Sequence, residues 1–223
     1  MSRQARVAVG GVVYHVINRS NGQVQIFNAP QEYVHFESLL LEGVELIGMR
    51  ILAYVIMPNH WHLVLYPHKD GDISEFMRWI TTTHVRQRRV KTKTVGSGHL
   101  YQGAYKSFPI EEDKHLIDVI RYIEQNPLRA NLAPRAQDWQ WSSLYRRERG
   151  SVEDKKLLAP LPTELAANYL ESVNQVLQEL SINRIRHSIS KGAPLGSDEW
   201  VAYMVGEYTM EDTQRGVGRP RKN

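Results

Sequence analysis

The chain has 223 residues, 42% hydrophobic and 23% charged, the balance of a globular protein with room for one good-sized core. It has no cysteine, which excludes disulfides and thiolate metal sites, and no apolar run long enough to cross a membrane, so no membrane partner and a cytoplasmic location are expected. The formal charge of +4 and a pI near 9.2 hint at a polyanionic partner.

The opening "MSRQARVAVGGVVYHVI" is basic and then apolar, like the start of a signal peptide. Gly10, Gly11 and His15 interrupt it and no small-residue cleavage site follows, so residues 11–18 are expected to form a strand instead. Asn21-Gly22 marks a turn. From Pro30 the spacing predicts a helix with Tyr33, Phe36, Leu39, Leu40 and Leu46 or Ile47 on one face, ended by Gly48. "RILAYVIM" and "HWHLVLYP" then read as two strands joined at Pro58-Asn59 in a tight hairpin. A second helix over roughly 74–92 turns Phe76, Met77, Ile80 and His84 or Val85 to the core, and "TVGSGH" breaks it. "AYKSFPI" is a further strand. "EEDKHLIDVIRYIEQN" is a third helix with acids in its first turn, where the helix dipole favours them, and Pro127 is expected to stop it.

This order predicts an α+β fold: one antiparallel sheet in βαββαβ order with helices on one face, plus a C-terminal helical extension. Residues 1–150 form the first domain and 151–162, rich in Gly, Pro and charge, a linker. Residues 163–210 form a helical accessory region, in which "TELAANYLESVNQVLQEL" is one amphipathic helix and "SDEWVAYMVGEY" a shorter one. Residues 211–223 are a basic tail too polar to fold alone.

Side chains two apart on a strand share a face, so His60 and His62 stand together and Trp61 points away. Two neutral imidazoles at that spacing can share one divalent ion, although such a pair alone is more often merely hydrogen-bonded. On the third helix Tyr122 and Asn126 are four apart and so on one face. Tyr122 offers a phenol oxygen as nucleophile and Asn126 a carbonyl oxygen for a hard cation; singly they would read as a core tyrosine and a helix end. Phe76 to Ile110 contains no acid but carries Arg78, Arg86, Arg88, Arg89, Lys91, Lys93 and Lys106, which favours phosphate binding over a merely solvated face. Tyr101, Tyr105 and Phe108 are placed either to stack on unpaired bases or to serve the core.

The stretches "GGVVYHVINRSN", "AYVIMPNHWHLVL", "GSGHLYQGAYKSFPI", "RYIEQNPLRANL" and "DWQWSS" run in order from about residue 8 to residue 143. Together they resemble the single-tyrosine HUH transposases, named for two histidines around a hydrophobic residue, and most closely the REP-associated tyrosine transposases. The resemblance implies a ferredoxin-like catalytic domain over 1–150. It implies cleavage and rejoining of single-stranded DNA at REP-like hairpins, with Tyr122 as nucleophile and a 5′-phosphotyrosine intermediate. His60, His62 and Asn126 would hold a divalent ion, Mg²⁺ or Mn²⁺. Arg86, Arg88, Arg89, Lys91, Lys93 and Lys106 are the candidate DNA contacts. The base for Tyr122 is open, with His115 and Asp118 on the same helix. "GRPRK" at Gly218–Lys222 resembles an AT-hook whose Arg219 and Arg221 would enter a minor groove, or is simply a basic tail. A monomer is favoured over a dimer. The competing readings are a domesticated, catalytically silent hairpin-binding regulator or architectural protein, and a metal-stabilised structural domain.

Overall fold

Every residue of strand β2 (Arg50–Met57) except the first is buried. Successive side chains of a strand point to opposite faces, so such a strand needs cover on both. The computed structural model, which describes residues 6–96 and 98–214, supplies it. Strands β1 (Val13–Arg19), β2, β3 (His60–Tyr66) and β4 (Lys106–Ile110) form one antiparallel sheet in the order β2-β3-β1-β4. Helices α1 (Pro30–Ile47) and α2 (Asp72–Thr92) cover the face carrying Tyr14, Val16, Tyr54, Ile56, Trp61, Leu63 and Leu65. Helix α3 (Lys114–Glu124) covers the other face, against Val13, Ala53, Val55, Val64, Phe108 and Ile110. The expectation of helices on one face is therefore corrected. "RILAYVIM" does not alternate, and its unbroken apolar run is the signature of a strand buried on both sides.

Two further expectations change. The third helix ends at Glu124, ahead of Pro127, but the proline does not end helical backbone. Gln125 keeps right-handed helical angles (φ −79°, ψ −12°) and a further turn, α4 (Asn126–Arg129), forms with Pro127 in its first turn, where a missing N–H costs nothing. The single helix expected at 163–180 is broken: after α5 (Ser143–Arg149) and α6 (Val152–Lys155), that stretch holds α7 (Tyr169–Val173) and only the start of α8 (Glu179–Lys191). Tertiary contacts interrupt the pattern. Asn174 accepts from the Ala136 amide at 2.9 Å and donates to Gln137 at 2.8 Å, while the Gln175 carbonyl accepts from Arg121 and Gln125.

The stretch 151–162 lies against the body: Leu157 is buried and the Ala159 amide donates to the Ile51 carbonyl at 2.9 Å. Farther on, Leu195 bridges Ile110 in parallel fashion at the β4 edge, and α9 (Asp198–Glu207) and α10 (Glu211–Gln214) follow. A buried carboxylate ties these parts to α3. Glu124 accepts from Ser143 (2.5 Å), Arg147 (2.6 Å) and the Tyr169 hydroxyl (2.7 Å). No helix among the described residues is long and apolar enough to cross a membrane. Arg219 and Arg221 lie outside the described residues.

Candidate metal and nucleophile site

Strand β3 starts directly after the Pro58-Asn59 turn, with Met57 paired to His60. Trp61 is buried on the α1/α2 side, its indole N–H donating to the Tyr101 hydroxyl at 3.1 Å. His60 and His62 therefore emerge on the α3 side, their rings 5.2 Å apart. On α3, Leu116, Val119, Ile120 and Ile123 anchor the buried stripe, and Asp113 caps the first turn through the His115 amide. That orientation sets Tyr122 edge-on to His62, with ring centroids 6.4 Å apart and planes at 81°. Tyr122 is 7% exposed, and its hydroxyl has no hydrogen-bond partner among the described residues.

Asn126 follows on α4. Its carbonyl oxygen accepts from Arg129 at 2.6 Å, and the Arg129 guanidinium lies 4.2 Å over the Tyr122 ring. The Asn126 amide nitrogen is buried without a partner. The nucleophile candidate and the histidine pair thus meet directly, whereas Asn126 is joined to them through Arg129.

The electrostatics favour neutral imidazoles. Burial, and then the charge of Arg19 directly opposite on β1, push His60 down to about 4. Burial also holds His62 well below its ordinary range, with His15, His60, Arg129 and Arg19 adding to the effect. The His60 Nδ1 engages the Asn59 side-chain oxygen at 2.6 Å, and the His62 Nδ1 engages His15 at 2.7 Å. Among the described residues each ring keeps Nε2 free of protein partners, a lone pair that can serve a divalent cation. By that chemistry the pair fits a metal.

Three neighbours were not legible in the sequence: His15, Arg19 and Arg129. His15 and Arg19 share the face of His60 and His62 only because β1 pairs with β3, a contact between distant segments. His115 and Asp118 are occupied elsewhere, His115 with Asp113 at 2.8 Å and Asp118 with Ser181 at 3.1 Å. Glu111, Asp113 and His115 also form a cluster whose ligand atoms lie within 4.8 Å of one another. It stands at the start of α3, and Glu111 there already accepts from the Ser197 amide at 2.6 Å.

The basic residues divide. Lys106 is exposed on β4, opposite Ile17 and so on the histidine face. Arg86, Arg88, Arg89 and Lys91 are on α2, and Lys93 is its C-cap, on the opposite side of the sheet. Arg88 is paired with Glu32 at 3.0 Å, and Arg89 donates to the Gly98 carbonyl. Arg78, Arg86 and Arg89 line a groove of about 930 Å³ together with Asn18, Tyr101 and Tyr105. The Leu100 carbonyl accepts from Asn21 and the Arg19 carbonyl from Gln102, so this groove opens at the same end of the sheet as His60. Tyr101 and Phe108 are core residues; Tyr105, half-buried and packed under Arg6, lines the groove.

The profile of a family described as "Transposase IS200 like" matches residues 8–126. A Haemophilus influenzae protein, provisionally named a REP-associated tyrosine transposase, is 24% identical over 131 residues, which cover 54% of this chain and 74% of that protein. A solved REP-associated tyrosine transposase, bound to a REP hairpin, superposes on 80% of this chain and all of its own, with a TM-score of 0.54 and 21% identity. A Deinococcus radiodurans protein, provisionally named a transposase, superposes on 56% of the chain and 97% of its own with a TM-score of 0.40 and 19% identity.

Proposed function

The chain belongs to the IS200-like transposase family, and from that premise we propose that it cleaves and rejoins single-stranded DNA at REP-like hairpins, with Tyr122 as the nucleophile. The carrying observation is the approach of Tyr122 on α3 to His62, on the face His62 shares with His60. The strand order β2-β3-β1-β4 is read here as the ferredoxin-like arrangement.

In this reading the Tyr122 oxygen attacks the scissile phosphorus, a tyrosyl O–P bond forms and the P–O3′ bond breaks. A 3′-hydroxyl leaves, and the 5′-phosphotyrosine keeps the diester's energy for rejoining by a second 3′-hydroxyl, which makes one transfer into two. His60, His62 and Asn126 would hold a divalent ion, Mg²⁺ or Mn²⁺, which when bound supplies Lewis-acid polarisation of a phosphate oxygen. Asn126 takes part once Arg129 turns from its carbonyl oxygen to a phosphate. Arg19, Lys106 and Arg129 offer cationic contacts around the scissile phosphate. The α2 cations and the groove beside Tyr105 receive the flanking strand. Because Glu124 binds α3 to its own chain, a monomer with the tyrosine acting in cis is favoured.

The decisive experiment uses a REP-like hairpin oligonucleotide with single-stranded flanks. The parent protein with Mn²⁺ forms a denaturation-resistant adduct. Tyr122→Phe abolishes the adduct and still shifts the hairpin on a gel, and EDTA stops cleavage. Adducts that persist in Tyr122→Phe sink the tyrosine assignment. The occupied carbonyl of Asn126 is the one observation favouring a silent hairpin-binding protein; that reading wins if binding is tight and no adduct forms with either metal.

A further inference from the structure

His15 is fully buried in the middle of β1, ringed by Val64 on one neighbouring strand and Phe108 on the other. Its Nε2 lies 2.7 Å from the His62 Nδ1, the rings 5.0 Å apart and tilted by 42°. Phe108 packs against its other side at 4.9 Å, and its Nδ1 is buried without a partner. Each neutral imidazole carries one N–H proton and only one of the two can lie in the contact between the rings, so which ring supplies it decides what His62 can do. If His15 donates, the His62 proton must sit on Nε2, and that nitrogen cannot bind a cation. If His62 donates, its Nε2 lone pair is free. His60 solves the same problem differently, since its Nδ1 meets the Asn59 oxygen, which can only accept.

We propose that His15 is a positioning residue that accepts the Nδ1–H of His62, fixing the ring and tautomer in which the His62 Nε2 lone pair is presented to a divalent ion. The inference rests on the metal-dependent reading above. It adds a third imidazole that touches neither ion nor DNA. The proton of His15 then stands on its Nδ1, an atom that lacks a partner in either tautomer.

The test measures Mn²⁺ affinity from the electron paramagnetic resonance signal of the free ion, without DNA. His15→Phe keeps the ring volume and removes the acceptor; it is expected to weaken Mn²⁺ binding about 10- to 100-fold. Its thermal midpoint is not lowered, and its hairpin binding in EDTA equals that of the parent. His15→Gln, whose amide oxygen reaches the Nε2 position, restores affinity to within a few-fold. A packing role alone would move the midpoint and leave the affinity alone. His15→Phe with parental Mn²⁺ affinity, while His62→Ala loses it, overturns the role of His15 and spares the metal site. Parent and His62→Ala with equally weak binding overturns both. Should His15→Phe not fold, His15→Asn against His15→Gln gives the same contrast, because the shorter amide cannot reach.

Discussion

Single imidazoles set the acid limit of this protein. Burial pushes His15 and His84 down to about 3 in the folded chain, against an ordinary value near 6.5 in the unfolded one. The unfolded state therefore binds more protons than the folded state between those values, so stability is full above about 6.5 and falls as pH drops toward 3. Urea unfolding at pH 4.5 should show a loss on the order of 1–3 kcal/mol for each of these rings relative to pH 7. A midpoint that does not move would mean they are hydrated. The spacing of His60 and His62 was readable because both lie in one strand, whose period fixes the face; Tyr122 and Asn126 fall on α3 and α4, so helix spacing alone did not place Asn126. His15 was not readable, since a lone histidine in an apolar strand announces nothing until its strand has a neighbour. Arg129 was hidden by the assumption that Pro127 ended the helix; the extra turn carries the guanidinium back over Tyr122.

Helix α3 is the element on which the site depends. Its apolar stripe was plain, and its tether was not, because Glu124 finds partners 19, 23 and 45 residues away. Glu124→Ala leaves the Tyr169 hydroxyl without its acceptor, Ser143 with only the Tyr54 carbonyl and Arg147 with only the Leu52 carbonyl and no countercharge, and should cost about 3–5 kcal/mol in a denaturant titration. Loss of less than 1 kcal/mol would show that water replaces it. On the opposite face α1 and α2 touch through Gly43, where an added Cβ would stand 2.8 Å from the Phe76 ring. Gly43→Ala therefore should destabilise by about 1–3 kcal/mol even though alanine favours a helix by up to ~1 kcal/mol. A stabilised variant would show that α1 and α2 can part.

For the whole molecule, the acid-free basic stretch was read as one DNA surface, and the fold divides it. Lys91 and Lys93 are exposed, whereas Arg88 is spent on Glu32. Removing both lysines should lower the slope of log K against log salt for a single strand by about 1.4, since each phosphate contact contributes ~0.7. Arg88→Ala should instead lower the unfolding midpoint and leave the slope near that of the parent. An unchanged slope in the double lysine variant would move the DNA path elsewhere. A chain cut at residue 150 loses Tyr169, Val173, Ile185 and Leu195 from the α3-side core and should no longer unfold cooperatively. The sheet order has one more consequence, in time. β1 emerges from the ribosome first but lies in the interior of the sheet, between β3 and β4. At ~5–20 residues per second, the interval between Arg19 and His60 lasts about 2–8 s, during which β1 has no partner. The histidine face cannot assemble in a nascent chain until β3 has been made, nor Tyr122 join it until α3 has. A prematurely terminated product ending before Tyr122 therefore carries the histidine pair without the tyrosine ring that meets His62 in the full chain.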